Sequence, residues 1–316
     1  MRISQSWLEF EKEIGRRPVL KGTAQEIRDK FAELGKNLAT LYSPPPADTV
    51  MVETGSFQGI AYRTYTPRSI GGGAPEKLPI GVYFHAGGFV VGNLDSDDLF
   101  CRAIAENTQV ILVNVDYKLA PEHKTPAHLE DAIKIVEWVY HDATFDRADR
   151  TKLFAMGTSA GGALALGVAR KAGLDQSTIP KNAVKGVVAL SPVVFHPANS
   201  PVQVNVHDSP IIDREALLQC FELCGAQPDN SDYFIGLDPN SHSLLPPAYI
   251  VTCGFDPLRD DGRLLAESME SRGLQVKRDH YEPLPHCFWM VPTLPESKAF
   301  TANAFQGIKW VLSKMY

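Results

Sequence analysis

Leu153-Phe154-Ala155-Met156-Gly157-Thr158-Ser159-Ala160-Gly161-Gly162-Ala163-Leu164 is the stretch that decides the fold. Residues 153–156 are apolar and read as a short buried strand, and residues 159–172 are rich in Ala, Leu and Gly and read as a helix. Between them lies a G-x-S-x-G pentapeptide, the turn that lifts a serine above the carboxyl end of a strand. Gly157 and Gly161 lack a Cβ, so neighbouring backbone can pass close to that turn. Ser159 also stands at the positive end of the helix dipole, where a developing anion is favoured. A capping serine on a Gly-rich turn would spell the same letters. The position between strand and helix is what marks Ser159 as a candidate nucleophile.

Working outward, the same alternation extends in both directions. Strands are expected at 80–84, 110–115, 184–190, 248–253 and 275–281, and helices at 95–107, 126–141, 260–272 and 297–314. Short apolar runs alternating with helices imply a mostly parallel sheet covered on both faces. Two earlier strands are expected at 49–57 and 60–66, punctuated by Gly55 and Gly59 and followed by the loop Gly71-Gly72-Gly73-Ala74-Pro75. Residues 1–45 read as helical, with Trp7, Leu8, Phe10 and Ile14 and then Ile27, Phe31, Leu34, Leu38 and Leu41 at helical spacing, closed by Pro44, Pro45 and Pro46. The alternation breaks between about 192 and 245, a proline-rich stretch with one helical piece near 213–225. Insertions between strands of such a sheet lie over its carboxyl edge, where ligands bind. Residues 1–45 and 195–240 are therefore read as a cap on one domain, 1–316; the plainer alternative is a long irregular surface connection.

A serine hydroxyl needs an anion-stabilising site and a base. Directly after the strand at 80–84 comes His85-Ala86-Gly87-Gly88-Phe89. Two consecutive glycines can aim the N–H groups of Gly87 and Gly88 at one oxygen, with the N–H of Ala160 as a third donor. Losing one such donor costs about 3 kcal/mol of transition-state stabilisation. For the base, nine histidines are available. The chain order that goes with this elbow is serine, acid, histidine. Beyond Ser159, His196, His207 and His242 fall in the inserted region and His280 in a strand, whereas His286 falls in the loop Pro283-Leu284-Pro285-His286-Cys287-Phe288. Asp256, in Gly254-Phe255-Asp256-Pro257-Leu258-Arg259-Asp260-Asp261, follows a strand and would orient the imidazole. Asp260 and Asp261 sit where the next helix begins, and capping and dipole pairing account for them.

Taken together, these residues resemble the hormone-sensitive-lipase-like family of α/β hydrolases, from about residue 78 to the C-terminus. Asp116-Tyr117-Lys118-Leu119-Ala120-Pro121-Glu122 resembles the family's stretch after its fourth strand, and Asp256-Pro257-Leu258-Arg259-Asp260 its acid motif. The resemblance implies an α/β-hydrolase fold, a mostly parallel central sheet flanked by helices, with a helical cap. It implies a carboxylesterase working on short acyl (acetyl-type) esters through an acyl-enzyme, with no metal or organic cofactor. His286 lies in the loop where such a fold delivers its base. Thr158 stands where Asp is commoner, as in one subgroup, and Ala86 replaces the first glycine of the oxyanion loop, whose two later glycines supply the donors. Lys118 stands in place of Arg, which is expected to weaken the hydrogen bonding around Glu122, and His85 is expected to organise the loop. Similar fungal proteins act in secondary metabolism, removing an acetyl group or processing a polyketide intermediate. A pathway-specific hydrolase or cyclase is therefore the alternative on the same triad. A non-catalytic binding module, or a dehydratase with a replaced nucleophile, fits less well, because all three triad residues are kept.

Phe89, Leu94 and Asp95 after the oxyanion loop, Phe195, His196 and the stretch to Ile212 in the cap, and Phe288 and Trp289 after the base are candidate pocket residues. Aromatic residues in such places are more often core. The chain has 316 residues, 44% hydrophobic, enough for one large core, and its net charge of −6 with no Lys/Arg cluster argues against nucleic acid as a partner. A small-molecule ester is the expected partner, and a homodimer paired through the last strand or last helix is a candidate assembly. No apolar run reaches membrane-spanning length and residues 1–10 carry no signal-peptide pattern, so the cytoplasm is the default location. The five cysteines are odd in number and lack C-x-x-C spacing, so all are expected to be reduced.

Overall fold

In chain order the elements are α1 (Gln5–Glu13), α2 (Ala24–Ala39), β1 (Val50–Phe57), β2 (Ile60–Pro67), β3 (Leu78–Phe84), α3 (Asp98–Thr108), β4 (Ile111–Asp116), α4 (Ala127–His141), β5 (Ala148–Thr158), α5 (Ala160–Gly173), β6 (Val184–Leu190), α6 (Arg214–Cys224), β7 (Ala248–Phe255), α7 (Arg259–Glu270), β8 (Val276–Pro285) and α8 (Pro295–Leu312). They come from a computed structural model, which describes residues 2–42, 49–68, 77–141, 145–202 and 208–315. The triple proline 44–46, the 71–75 loop and His207 lie outside the described residues.

The strands form one eight-stranded sheet in the order β1-β2-β4-β3-β5-β6-β7-β8. β1, β2 and β4 pair antiparallel, and every pairing from β4 to β8 is parallel. β3 to β7 are buried almost residue by residue, whereas the edge strands β1 and β8 alternate with solvent. One core packs α4, α5 and α7 against one face; the other packs α1, α3 and α8 against the opposite face. The sheet order reverses at β3, whose two neighbours are β4 and β5, and in open α/β sheets ligands bind outside the carboxyl ends of the strands at such a switch. Among the described residues, no helix is long and apolar enough to cross a membrane.

Several boundaries differ from the sequence reading. The helix expected at 95–107 begins only at Asp98. Before it, the Asn93 side chain accepts from the Asp95 N–H at 2.9 Å and the Ser96 hydroxyl accepts from the Asn93 N–H at 3.0 Å. These local bonds compete with helix formation. β5 starts five residues earlier than expected, because Ala148 already pairs with Leu78. Residues 1–45 hold two helices, one over each apolar set, and Gly15 and Gly22, both at positive φ, fall in the gap between them. In that gap Val19 bridges to Ile211, and Arg17 reaches Asp208 at 2.7 Å.

Candidate active site

Strand register brings the sequence-picked loops together. Phe84, the last residue of β3, pairs with Gly157 of β5, so the loops that follow them start side by side. At Ser159 the chain turns with φ 57° and ψ −118°, an unusual conformation for a residue with a side chain. Its N–H donates to the Leu190 carbonyl at 2.8 Å, which ties the turn to β6. A Cβ on Gly161 would lie 2.0 Å from the Phe84 carbonyl oxygen, and one on Gly157 would lie 2.1 Å from that of Gly161. Only glycine allows the elbow and the β3 loop to approach so closely.

In the β3 loop, Gly87, Gly88 and Phe89 all have positive φ, 133°, 60° and 66°. The peptides that carry the Gly87 and Gly88 N–H groups are fixed at their carbonyl ends. The Ala86 carbonyl accepts from His85 Nδ1 at 2.7 Å, and the Gly87 carbonyl accepts from the N–H groups of Val90 and Val91, each at 3.0 Å. A carbonyl oxygen only accepts, so Nδ1 carries the imidazole proton. Burial pushes His85 down to about 4, keeping the ring neutral at physiological pH. Tyr117 stacks on it at 4.2 Å and donates its hydroxyl to the His85 carbonyl at 2.8 Å. A loop held in this way keeps its N–H groups in a fixed direction, which is what electrostatic preorganisation requires.

The second meeting point is set by β7 and β8. Phe255 pairs with Pro285, and the residues that follow these strand ends are Asp256 and His286. Both side chains are buried, and His286 Nδ1 donates to Asp256 Oδ2 at 2.8 Å. Asp256 Oδ1 accepts from the Leu258 N–H at 2.8 Å, so both carboxylate oxygens are engaged. The imidazole is held through Nδ1, and Nε2 takes no part in this bond.

The expectation for the neighbouring acids holds in part: Asp260 and Asp261 both lie in the first turn of α7, where the helix dipole favours them, but neither caps the helix. Asp260 pairs with Arg259 and Arg263 at 2.8 and 2.7 Å. Asp261 is buried and accepts from the N–H groups of Val194 and Phe195 at 2.7 and 2.8 Å, fixing the chain that leaves β6. The Lys118 substitution also acts elsewhere than expected. Lys118 pairs with buried Asp131 at 2.9 Å, while Glu122 is held at 2.5 Å by Arg28 of α2, which also donates to the Ala120 carbonyl.

The candidate pocket residues divide by environment. Phe89 is buried against His128 and Tyr233, and Phe288 is buried among Tyr281, Trp289 and Phe300. Trp289 stacks on Phe300 at 4.2 Å, against α8. These rings belong to the packed core. Leu94 is buried and its carbonyl accepts from Asn114, whereas Asp95 is exposed and paired with Arg63. His196 lies between Phe221 and Phe234, Phe195 fills the space over Gly236, and Ile212 is buried just before α6. One residue escaped the sequence reading as a neighbour of the site: Cys220 of α6 packs its sulfur where a Gly88 side chain would go, and it belongs to no recognisable motif.

The fold and these loops define an α/β hydrolase. Residues 81–290 match the alpha/beta hydrolase fold family, and the chain belongs to it, in the hormone-sensitive-lipase-like class. It is 40% identical to a versiconal hemiacetal acetate esterase of Dothistroma septosporum over 323 residues, covering 99% of this chain and 96% of that protein. Among solved structures, it is similar to a hyperthermophilic esterase of Pyrobaculum calidifontis, with a TM-score of 0.81, 28% identity and 98% of each chain covered. It is also similar to vibralactone cyclase, with a TM-score of 0.86, 26% identity and coverage of 99% of this chain and 96% of the other.

Proposed function

We propose that this ester-hydrolysing enzyme is a carboxylesterase for short-chain, acetyl-type esters of small molecules, with Ser159 as nucleophile, His286 as general base and Asp256 as the orienting acid. The observation that carries the reading is the buried 2.8 Å bond from His286 Nδ1 to Asp256, formed on the same sheet edge as an elbow packed against a pinned Gly-Gly loop. In the first step the Ser159 oxygen bonds to the ester carbonyl carbon while its proton passes to His286 Nε2. The N–H groups of Gly87, Gly88 and Ala160 receive the oxyanion. The C–O bond to the alcohol then breaks, and His286 returns the proton to the leaving oxygen. Water attacks the acyl-serine by the same route, giving the free acid and Ser159.

Residues 1–45 and 195–240 act as the cap that shapes the acyl pocket. Support for treating them as one unit comes from the bridge between Val19 and Ile211 and from Lys21, which reaches Asp213 and Glu215 at 3.3 and 2.9 Å. A second reading, a pathway-specific hydrolase or cyclase acting on a polyketide or another secondary-metabolite intermediate, is favoured by two likenesses. One is to an enzyme named for a hemiacetal acetate and the other to one named a cyclase. The test is hydrolysis of p-nitrophenyl esters from acetate to dodecanoate, with Ser159→Ala alongside. Turnover that peaks at the short esters and is lost in the variant is expected. A folded protein inactive on every ester would favour the second reading, and turnover that persists in Ser159→Ala would refute both.

A further inference from the structure

We propose that Arg28 of α2 is a positioning residue for the oxyanion loop, clasping from outside the site the peptides that fix the Gly88 N–H. This role rests on the reading of Ser159 as nucleophile and of Gly87 and Gly88 as oxyanion donors.

The Gly88 N–H belongs to the same planar peptide as the Gly87 carbonyl, so whatever fixes that carbonyl fixes the donor. Two N–H groups hold it, those of Val90 and Val91, each at 3.0 Å. Each of these N–H groups lies in a peptide whose carbonyl points the other way. The first carbonyl is that of Phe89, which accepts from the Ala120 N–H at 2.8 Å. The second is that of Val90, which Arg28 Nε reaches at 3.5 Å. Ala120 is held in its turn, because its own carbonyl accepts from Arg28 Nη2 at 2.9 Å. One guanidinium therefore stands behind both peptides, touching one directly and the other through Ala120.

Glu122 sets the direction of that guanidinium. Arg28 Nη1 and Nη2 donate to its two carboxylate oxygens at 2.8 and 2.5 Å, a two-pronged pair that leaves Nε and the second N–H of Nη2 for the backbone carbonyls. The stretch that carries Ala120 and Glu122 is anchored again a few residues on. Thr125 donates its N–H to the Cys224 carbonyl at 2.8 Å and its hydroxyl to the Gly225 carbonyl at 3.0 Å, at the end of α6. Thus α2 and α6, one from each part of the proposed cap, grip the same stretch behind the oxyanion loop. The Arg28 and Glu122 side chains are 33% and 56% exposed, and an ion pair so open to water adds little to folding stability. Its worth lies in the direction of a donor rather than in holding the fold. A lysine could meet Glu122, but as a single point charge it could not reach the acid and both carbonyls together.

The experiment compares the parent with Arg28→Ala, Arg28→Lys and Ser159→Ala by kcat and KM on p-nitrophenyl acetate, by inhibition with an alkyl trifluoromethyl ketone, and by thermal unfolding. The ketone adds to the serine as a hemiketal whose oxygen occupies the oxyanion site. Removing one oxyanion donor outright costs about 10²–10³ in kcat, and Arg28→Ala misaims a donor rather than removing it. Its kcat should therefore fall about 5- to 30-fold while KM stays within about twofold. The inhibition constant of the ketone, which resembles the transition state, should rise by the factor that kcat loses. Arg28→Lys should stay at least about threefold below the parent in kcat. A parent-like kcat in folded Arg28→Ala, a change confined to KM, a lower kcat with an unchanged inhibition constant, or a lysine variant as fast as the parent would overturn the proposal. Should Arg28→Ala fail to fold, Arg28→Lys, which keeps the charge and the aliphatic stem, decides: a lower kcat at constant KM supports the clasp, and a parent-like kcat overturns it. Ser159→Ala separates the two levels of inference. If it stays active the catalytic reading itself fails, whereas an inactive Ser159→Ala beside a parent-like Arg28→Ala removes only the role of Arg28.

Discussion

Replacing Asp256 by asparagine tests the triad with almost no change of shape. Asp256 Oδ1 accepts the Leu258 N–H and Oδ2 accepts His286 Nδ1, both at 2.8 Å and both buried. An asparagine can present oxygen to only one of these donors. Turning its NH₂ toward Leu258 would set two donors face to face and leave a buried N–H unpaired, which costs about 1–3 kcal/mol. The amide oxygen therefore stays with Leu258 and the NH₂ meets the imidazole. His286 must then accept at Nδ1, and its proton moves to Nε2, where a base should be empty. The fold is kept and the working tautomer is lost. A fall in kcat of about 10⁴ follows, or about 5.4 kcal/mol at 1.36 kcal/mol per tenfold. The measurement is kcat and KM on a p-nitrophenyl ester, with thermal unfolding as the control for the fold. A correctly folded Asp256→Asn within tenfold of the parent would refute the tautomer argument.

Gly161→Ala places a methyl group 2.0 Å from the Phe84 carbonyl oxygen, and backbone cannot swing aside as a side chain can. It should cost at least about 1–3 kcal/mol in denaturant unfolding and lower kcat by displacing the loop; a variant as stable as the parent would show that the contact is loose. Asp261 is pushed up to about 8, chiefly by burial and further by the charges of Asp256 and Asp260, so the folded state prefers its protonated form. That preference contributes stability in full below the ordinary carboxylate value and loses it as pH rises to about 8, by about 1.4 kcal/mol per pH unit at most. Asp261→Asn lacks this dependence and should gain stability relative to the parent between about pH 4 and 8; a difference that does not change with pH would contradict the assignment. All five cysteines are free and buried, and burial pushes Cys220 up to about 12 and Cys224 to about 11. Ellman's reagent should therefore react slowly with native protein and with five thiols after denaturation, and fast native labelling of α6 would show that it opens.

The alternation of strands and helices was legible because the central strands are buried on both faces and their apolar runs stand out from the helices between them. Ser159, Asp256 and His286 could be named because each follows a strand in a short Gly- or Pro-marked loop. Pairing between distant strands was not legible. The match of Phe255 with Pro285 is what brings Asp256 and His286 together, and nothing near either residue announces it. The helix start expected at residue 95 failed because the Asn93 and Ser96 side chains satisfy the backbone in place of a helix turn. Asp261 was read as a helix-end acid because its sequence neighbours suggest that role, whereas its partners, the N–H groups of Val194 and Phe195, lie 67 and 66 residues away. Glu122 shows the same limit, since its partner Arg28 lies 94 residues earlier on α2.

The central claim is that Ser159 is the nucleophile. The most direct measurement is covalent labelling with an organophosphate such as diethyl p-nitrophenyl phosphate, followed by peptide mass spectrometry. The account predicts one phosphoryl group per chain, carried on Ser159, with loss of esterase activity in step with labelling. A modified residue other than Ser159, or ester turnover that persists in Ser159→Ala, would contradict it.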